Sequence, residues 1–330
     1  MAHEDLEQIL SQLAGKVLSA PYGPRTITFN YGLHFTGGEP FLNFELLCKA
    51  AEIARELKIP STFVETNGFW AVDDKTAKEK LKALKSKGLQ GIMVSVNPYY
   101  LEYVPFERTG RAISAGIDVF GGNVLVYQLE YFRRFTDLGI TGIVPFQDYL
   151  RLEGRESHAR SVELLLMGRA PYALRDVLDG LYRGTEAACY FDEPCVSAFS
   201  RGLHNHFDNY GNYVPGFCGG VSFGDCRNLD DLLREGVDVE QFPVLGLLMD
   251  GDFAGLCSLA KERGYEEQRE GYISKCHLCV DMRRHLALDG DFAELVPREF
   301  YRHLNEQGIS RGCISEQGGA PSILPECDEI

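Results

Sequence analysis

Two short stretches of this chain carry residues that could do chemistry. Cys276-His277-Leu278-Cys279 is a CxxC. That spacing lets two thiolates reach one metal ion or one iron–sulfur cluster, and it also suits a redox pair or arises by coincidence. The second stretch is Gly37-Gly38-Glu39-Pro40. Two glycines at a strand end let a ligand approach the backbone with no Cβ in the way. Glu39 could accept hydrogen bonds from an ammonium group, and Pro40 would fix the turn. The same four residues also make a plain turn from strand to helix.

The elements that must position these residues alternate. Residues 5–14 read as a short amphipathic helix and 26–35 as a strand that the two glycines end. Apolar positions at Leu46, Ala50, Ile53 and Leu57 predict a helix over 43–57, stopped by Pro60. A strand over 61–66 closes on Asn67-Gly68, and a lysine-rich helix over 74–87 ends at Gly88. Residues 91–96 read as a buried strand. A helix over 105–115, a strand over 118–127, a helix over 129–138, a strand over 140–147 and a helix from about 157 follow. Five strand-then-helix units imply an α/β fold with a parallel sheet, whose ligands sit at the C-terminal ends of its strands. Beyond residue 172 glycine and cysteine increase and periodicity fades. This predicts a first domain over 1–172, then a second, irregular domain over 173–330 with a loose tail from Gly308.

Composition bounds the function. The chain has 330 residues and a net charge of −15. An acidic surface lacks the basic footprint of a nucleic-acid binder and is poorly suited to an anionic membrane. No apolar run approaches a membrane span, and the first residues do not read as a signal peptide. Nine of the ten cysteines lie after residue 188. Without a secretory signal, a reducing cytoplasm and a thiolate metal site are a better reading than disulfides.

The motifs FTGGEP (35–40), ETNG (65–68) and VSVN (94–97), each closing a predicted strand, resemble those of radical S-adenosylmethionine (SAM) enzymes. The resemblance implies a partial (βα)6 radical SAM-type barrel, here missing its first strand. Such a barrel, TIM-like in build, holds a [4Fe–4S] cluster and S-adenosylmethionine. It implies that Gly37, Gly38 and Glu39 bind the methionine amino group and that Thr66, Asn67 and Gly68 lie near the cofactor. It places Ser95 and Asn97 at the ribose or carboxylate, and Arg151 in a final-strand region that reaches the cofactor.

The stretch from Cys195 to Cys218 carries Asp208, Gly211, Asn212 and Pro215 in order. It resembles the auxiliary-cluster domain called SPASM or, in its shorter form, twitch. On that resemblance Cys195, Cys218, Cys276 and Cys279 hold one auxiliary [4Fe–4S] cluster. Zinc suits four thiolates as well. Cys189, Cys226 or Cys257 could replace one of the four, while Cys313 and Cys327 read as bystanders. His204, His206 and His277 rank below every cysteine as ligands. Asp281, Arg283 and Arg284 could bind a carboxylate or form a solvated face. Tyr99, Tyr100, Tyr103 and Phe106 could wall a pocket or pack as helix core.

The family's CxxxCxxC does not occur, and Cys48, the only cysteine before residue 189, reads as a buried apolar residue of a helix. The chain is therefore expected to lack an N-terminal cluster segment and to be inactive as given. The intact enzyme would cleave S-adenosylmethionine reductively and abstract hydrogen from a small molecule or peptide. Its electron would come from a donor such as flavodoxin or ferredoxin. No residue is assigned as catalytic. The alternatives are a non-catalytic metal-binding or scaffold protein on a degenerate barrel, and a zinc-stabilised α/β protein.

Overall fold

The computed structural model describes residues 1–161, 204–216 and 218–309, together with 168, 170–172, 174, 184–192 and 195. Helix α1 (His3–Leu13) leads into β1 (Leu33–Phe35). A 3-10 turn over Pro40–Asn43 then opens α2 (Phe44–Glu56). Next come β2 (Thr62–Thr66), α3 (Asp74–Lys87), β3 (Gly91–Ser95), the single turn α4 (Pro98–Leu101), α5 (Phe106–Phe120) and β4 (Val124–Tyr127). The four strands form one parallel sheet in the order β1-β2-β3-β4. The architecture is α/β.

Local chemistry sets the boundaries. Asp73 caps α3 by accepting from Thr76 N at 2.8 Å, and Gly88 ends it at φ 115°. Alternation divides the side chains of the sheet between its two faces. Val64, Ile92 and Val94 face the helices, packing on Leu47 and Ala51 of α2, Leu81 and Leu84 of α3 and Ala112 and Ala115 of α5. The opposite face presents Phe63 and Met93, covered by Ile27 and Phe29.

Three expected strands change. The strand expected over 26–35 keeps only its last three residues. Gly32 turns the chain at φ 85°, Thr28 bridges Tyr31, and the preceding residues fold across the sheet instead of joining it. The helix expected over 105–115 continues to Phe120, because Ala115 and Val119 still face the core, so β4 starts at Val124 rather than 118. The strand expected over 140–147 does not form. Its backbone pairs elsewhere: Gly142 N donates to the Glu107 carboxylate, and Val144 N donates to Leu101 O. After α6 (Leu129–Asp137), Pro145 instead starts α7 (Phe146–Glu153), followed by α8 (Arg155–Ser161).

Further along, β5 (Asn205–Phe207) and β6 (Tyr213–Pro215) form an antiparallel hairpin. Asp208 Oδ1 builds its turn by accepting from Tyr210 N and Asn212 N, both at 2.9 Å. Helices α9 (Leu229–Glu235), α10 (Pro243–Asp250), α11 (Phe253–Glu262), α12 (Lys275–Asp289) and α13 (Arg298–Ile309) follow. Their core includes Val244, Leu245, Phe253, Leu256, Met282 and Leu286. This part meets α1 directly: Gln12 Nε2 donates to Arg227 O at 2.8 Å, and Lys16 pairs with Asp230. Of the expected boundary at 172–173, only Tyr172 is described. The expected tail falls outside the described residues from 310 on, Cys313 and Cys327 included. Among the described residues no helix is long and apolar enough to cross a membrane.

Candidate functional site

The C-terminal ends of β1, β2 and β3 bring two carboxylates together. Glu39 caps the turn before α2 and accepts from Phe41 N at 3.1 Å, Thr66 Oγ1 at 2.8 Å and Asn67 N at 2.8 Å. Glu65, two residues after Phe63 on the same face of β2, accepts from Ser95 Oγ at 2.6 Å and Thr36 Oγ1 at 3.1 Å. Burial pushes the Glu39 carboxyl above its usual range. The hydrogen bonds from Asn67, Thr66 and Phe41 pull it back, and the neighbouring Glu65 adds to the rise. The Tyr100 hydroxyl is likewise held up by burial and by both carboxylates. A pair of carboxylates with a phenol beside them is a site of negative potential, suited to a cationic group.

Of the residues expected here, Gly37, Gly38, Glu39, Thr66, Asn67 and Ser95 share this tip. Thr66 supports Glu39, and its hydroxyl also accepts from Trp70 Nε1 at 2.9 Å and Gly68 N at 3.1 Å. Asn67 gives its backbone N–H to Glu39, while its side chain accepts from Phe69 N. Asn97 is used differently: its Oδ1 caps α4, accepting from Tyr99 N and Tyr100 N. Arg151 is not at a strand end, because the strand expected over 140–147 does not form. It lies on α7, exposed and paired with Asp148. Tyr103 is exposed and Phe106 packs against Phe132 and Phe135, leaving Tyr100 as the aromatic residue beside the carboxylates.

The second assembly is built on α12. Ser274 caps it through His277 N, and Cys276 and Cys279 occupy its first turns, three residues apart and so on neighbouring positions of one face. Cys195 and Cys218 approach them: the Cys195 thiol feels Cys279, and the Cys218 thiol feels Cys279, Cys195 and Cys276. Burial pushes the Cys218 thiol up to about 12 and that of Cys276 to about 11, and raises that of Cys195.

Arg283, 2% exposed, stands one turn along α12 and points its Nε at Cys279 Sγ, 3.3 Å away. Its Nη1 donates to Gly219 O at 2.9 Å and to Tyr301 Oη at 3.0 Å. Among the described residues no carboxylate pairs with it. A buried cation needs a counter-charge, and the cysteine sulfurs stand nearest to that role.

The other late cysteines have different surroundings. Cys226 is buried among residues that pack on α1, and Cys257 lies 3.8 Å from Glu267 Oε1. His277 is buried between Tyr172 and Tyr272 and accepts from Ile273 N. Neither of the expected roles for residues 281–284 fits the two buried ones. Asp281 is buried, accepting from Tyr265 Oη and Tyr172 Oη and pairing with Arg284, so it is neither a solvated face nor an open carboxylate binder.

Sequence reasoning missed Glu65 and Thr36 as partners in the tip, and Arg283 as partner of the thiols. It also missed His34, which the fold brings to His204 and His206. The His204-x-His206 alternation and the four-residue step from Cys279 to Arg283 were the signals available. No protein-family model matches this chain, and no curated protein matches it.

Proposed function

We propose that this is an iron–sulfur protein of the radical S-adenosylmethionine type, built on a partial barrel of that family. Its strand tip would bind the amino-acid end of S-adenosylmethionine, and Cys195, Cys218, Cys276 and Cys279 would hold an auxiliary [4Fe–4S] cluster. The observation that carries the reading is the Gly37-Gly38-Glu39 tip beside Glu65. Gly37 needs its missing side chain for its own backbone, at φ 138°. Gly38 has no such angle, and a Cβ built on it would meet nothing within 4 Å. Nothing in the described chain requires glycine there, whereas a ligand lying on the backbone would. The nucleotide's ammonium and sulfonium charges match the two carboxylates.

The thiols fit a cluster in one respect: Arg283 supplies a buried positive charge against the thiolate ligands. A cluster binds each of its four thiolates to a different iron. When bound, it supplies one-electron transfer.

The cluster that cleaves the nucleotide does not fit the residues described. It needs three thiolates from a CxxxCxxC, and before residue 189 the sequence offers only Cys48, on α2. We derive no cleavage step for this chain. That same observation favours, as a second reading, a binding or scaffold role on the same fold.

Calorimetric titration with S-adenosylmethionine tests the tip. The wild-type chain should bind one equivalent, and Gly38→Ala should weaken binding more than about tenfold, or 1.4 kcal/mol, with an unchanged unfolding midpoint. Equal affinity in the two proteins, or no binding by the folded wild type, would refute the assignment.

A further inference from the structure

His34 on β1 and His204 and His206 at β5 come from segments 170 residues apart in the chain and meet at one place. Each offers a ring nitrogen, and the three nitrogens lie within 4.8 Å of one another. The two β5 histidines are two residues apart, which puts them on one side of an extended segment. Their ring centroids are 4.8 Å apart, and those of His34 and His204 are 5.6 Å apart. We propose that His34, His204 and His206 form a binding site for a divalent transition metal of the zinc, cobalt or nickel class, separate from the cysteine site.

The orientation of His206 supports this. His206 Nδ1 stands 2.6 Å from Gly216 O. A carbonyl oxygen can only accept, so Nδ1–H is the donor there and Nε2 is the nitrogen left to face a metal. A backbone carbonyl on the second nitrogen is the usual way a metal-binding imidazole is oriented. Imidazoles are ligands that zinc, cobalt and nickel accept readily. A tetrahedral zinc sets its nitrogens about 3.3 Å apart, so the side chains need close by roughly an ångström and a half at most.

The site has an open side. All three histidines line a cavity of ≈ 550 Å³, which Phe29, Thr36 and Phe207 also line. Three protein ligands with a fourth position open to a cavity is the arrangement of catalytic rather than structural zinc. Thr36 connects this cavity to the strand tip through its hydrogen bond to Glu65. A small anion or water would take the fourth position.

Anaerobic titration of the full chain with Co²⁺ tests the proposal. One equivalent should bind with the visible bands of a nitrogen–oxygen site and without thiolate-to-cobalt charge transfer. His34→Gln and His206→Gln should each weaken it more than about tenfold, while Cys276→Ser and Cys279→Ser leave it unchanged and lose iron instead. The two sites therefore fail independently. X-ray absorption of the wild-type cobalt protein counts the imidazoles directly, whether or not the variants fold. Cobalt bound solely through sulfur, fewer than two imidazoles, or unchanged affinity in a folded histidine variant would overturn the site.

Discussion

Arg283 aims its Nε at the sulfur of Cys279 across 3.3 Å, from the next turn of the same helix and with both side chains buried. The guanidinium thus stands where negative charge would gather on the proposed cluster. Arg283→Met keeps much of the volume and removes the charge. Leaving a buried charge without its partner costs about 3–5 kcal/mol. The variant should lose iron to a chelator faster, and its remaining cluster should have a more negative reduction potential. Arg283→Lys should restore part of both. A potential unchanged in Arg283→Met would contradict the pairing.

Thr66 ties the strand tip together by donating to Glu39 and accepting from the Trp70 indole. Thr66→Val keeps the shape and strands a buried indole N–H. The expected loss is about 1–3 kcal/mol in urea unfolding. Thr66→Ser keeps the hydroxyl and should recover most of it. Equal stability of the valine and serine variants would remove Thr66 from this role.

Helix α3 was legible in the sequence because its determinants are local: Asp73 and Gly88 mark its ends and Leu81 and Leu84 its buried face. Residues 26–32 and 140–147 look like strands by composition, yet joining a sheet depends on a neighbour that pattern alone does not provide. Glu65 stood in a recognised strand-end motif, but its partners Thr36 and Ser95 lie on other strands, and strand register is a tertiary property. The CxxC was plain in sequence. The burial of Arg283, which reads as surface by residue type, was not, although its step of four from Cys279 put it on the cysteine face. His34 gave no local signal, since its partners lie on the distant β5 hairpin.

His158 makes the fold sensitive to acid. It is buried against Tyr131, Phe146 and Tyr149, and among the described residues neither ring nitrogen has a hydrogen-bond partner. Burial holds its pKa below the ordinary imidazole value, with Glu153 opposing. In the unfolded chain the ring protonates near pH 6.5. Its stabilising contribution is therefore complete above about pH 6.5 and is lost as pH falls toward the lower folded value. His158→Phe keeps an aromatic ring and removes the titration. Denaturant midpoints from about pH 7 to pH 5 should fall more steeply for the wild type than for the variant. Parallel pH profiles would show that His158 is not the sensitive group.

Iron and acid-labile sulfide analysis of the anaerobically purified or reconstituted chain tests the central claim most directly. The account predicts about four irons and four sulfides per chain, as for one [4Fe–4S] cluster. Cys276→Ala with Cys279→Ala should bring both close to zero, while Cys226→Ala and Cys257→Ala stay at the wild-type level. One zinc per chain without iron, or full iron in the Cys276 and Cys279 variant, would contradict it.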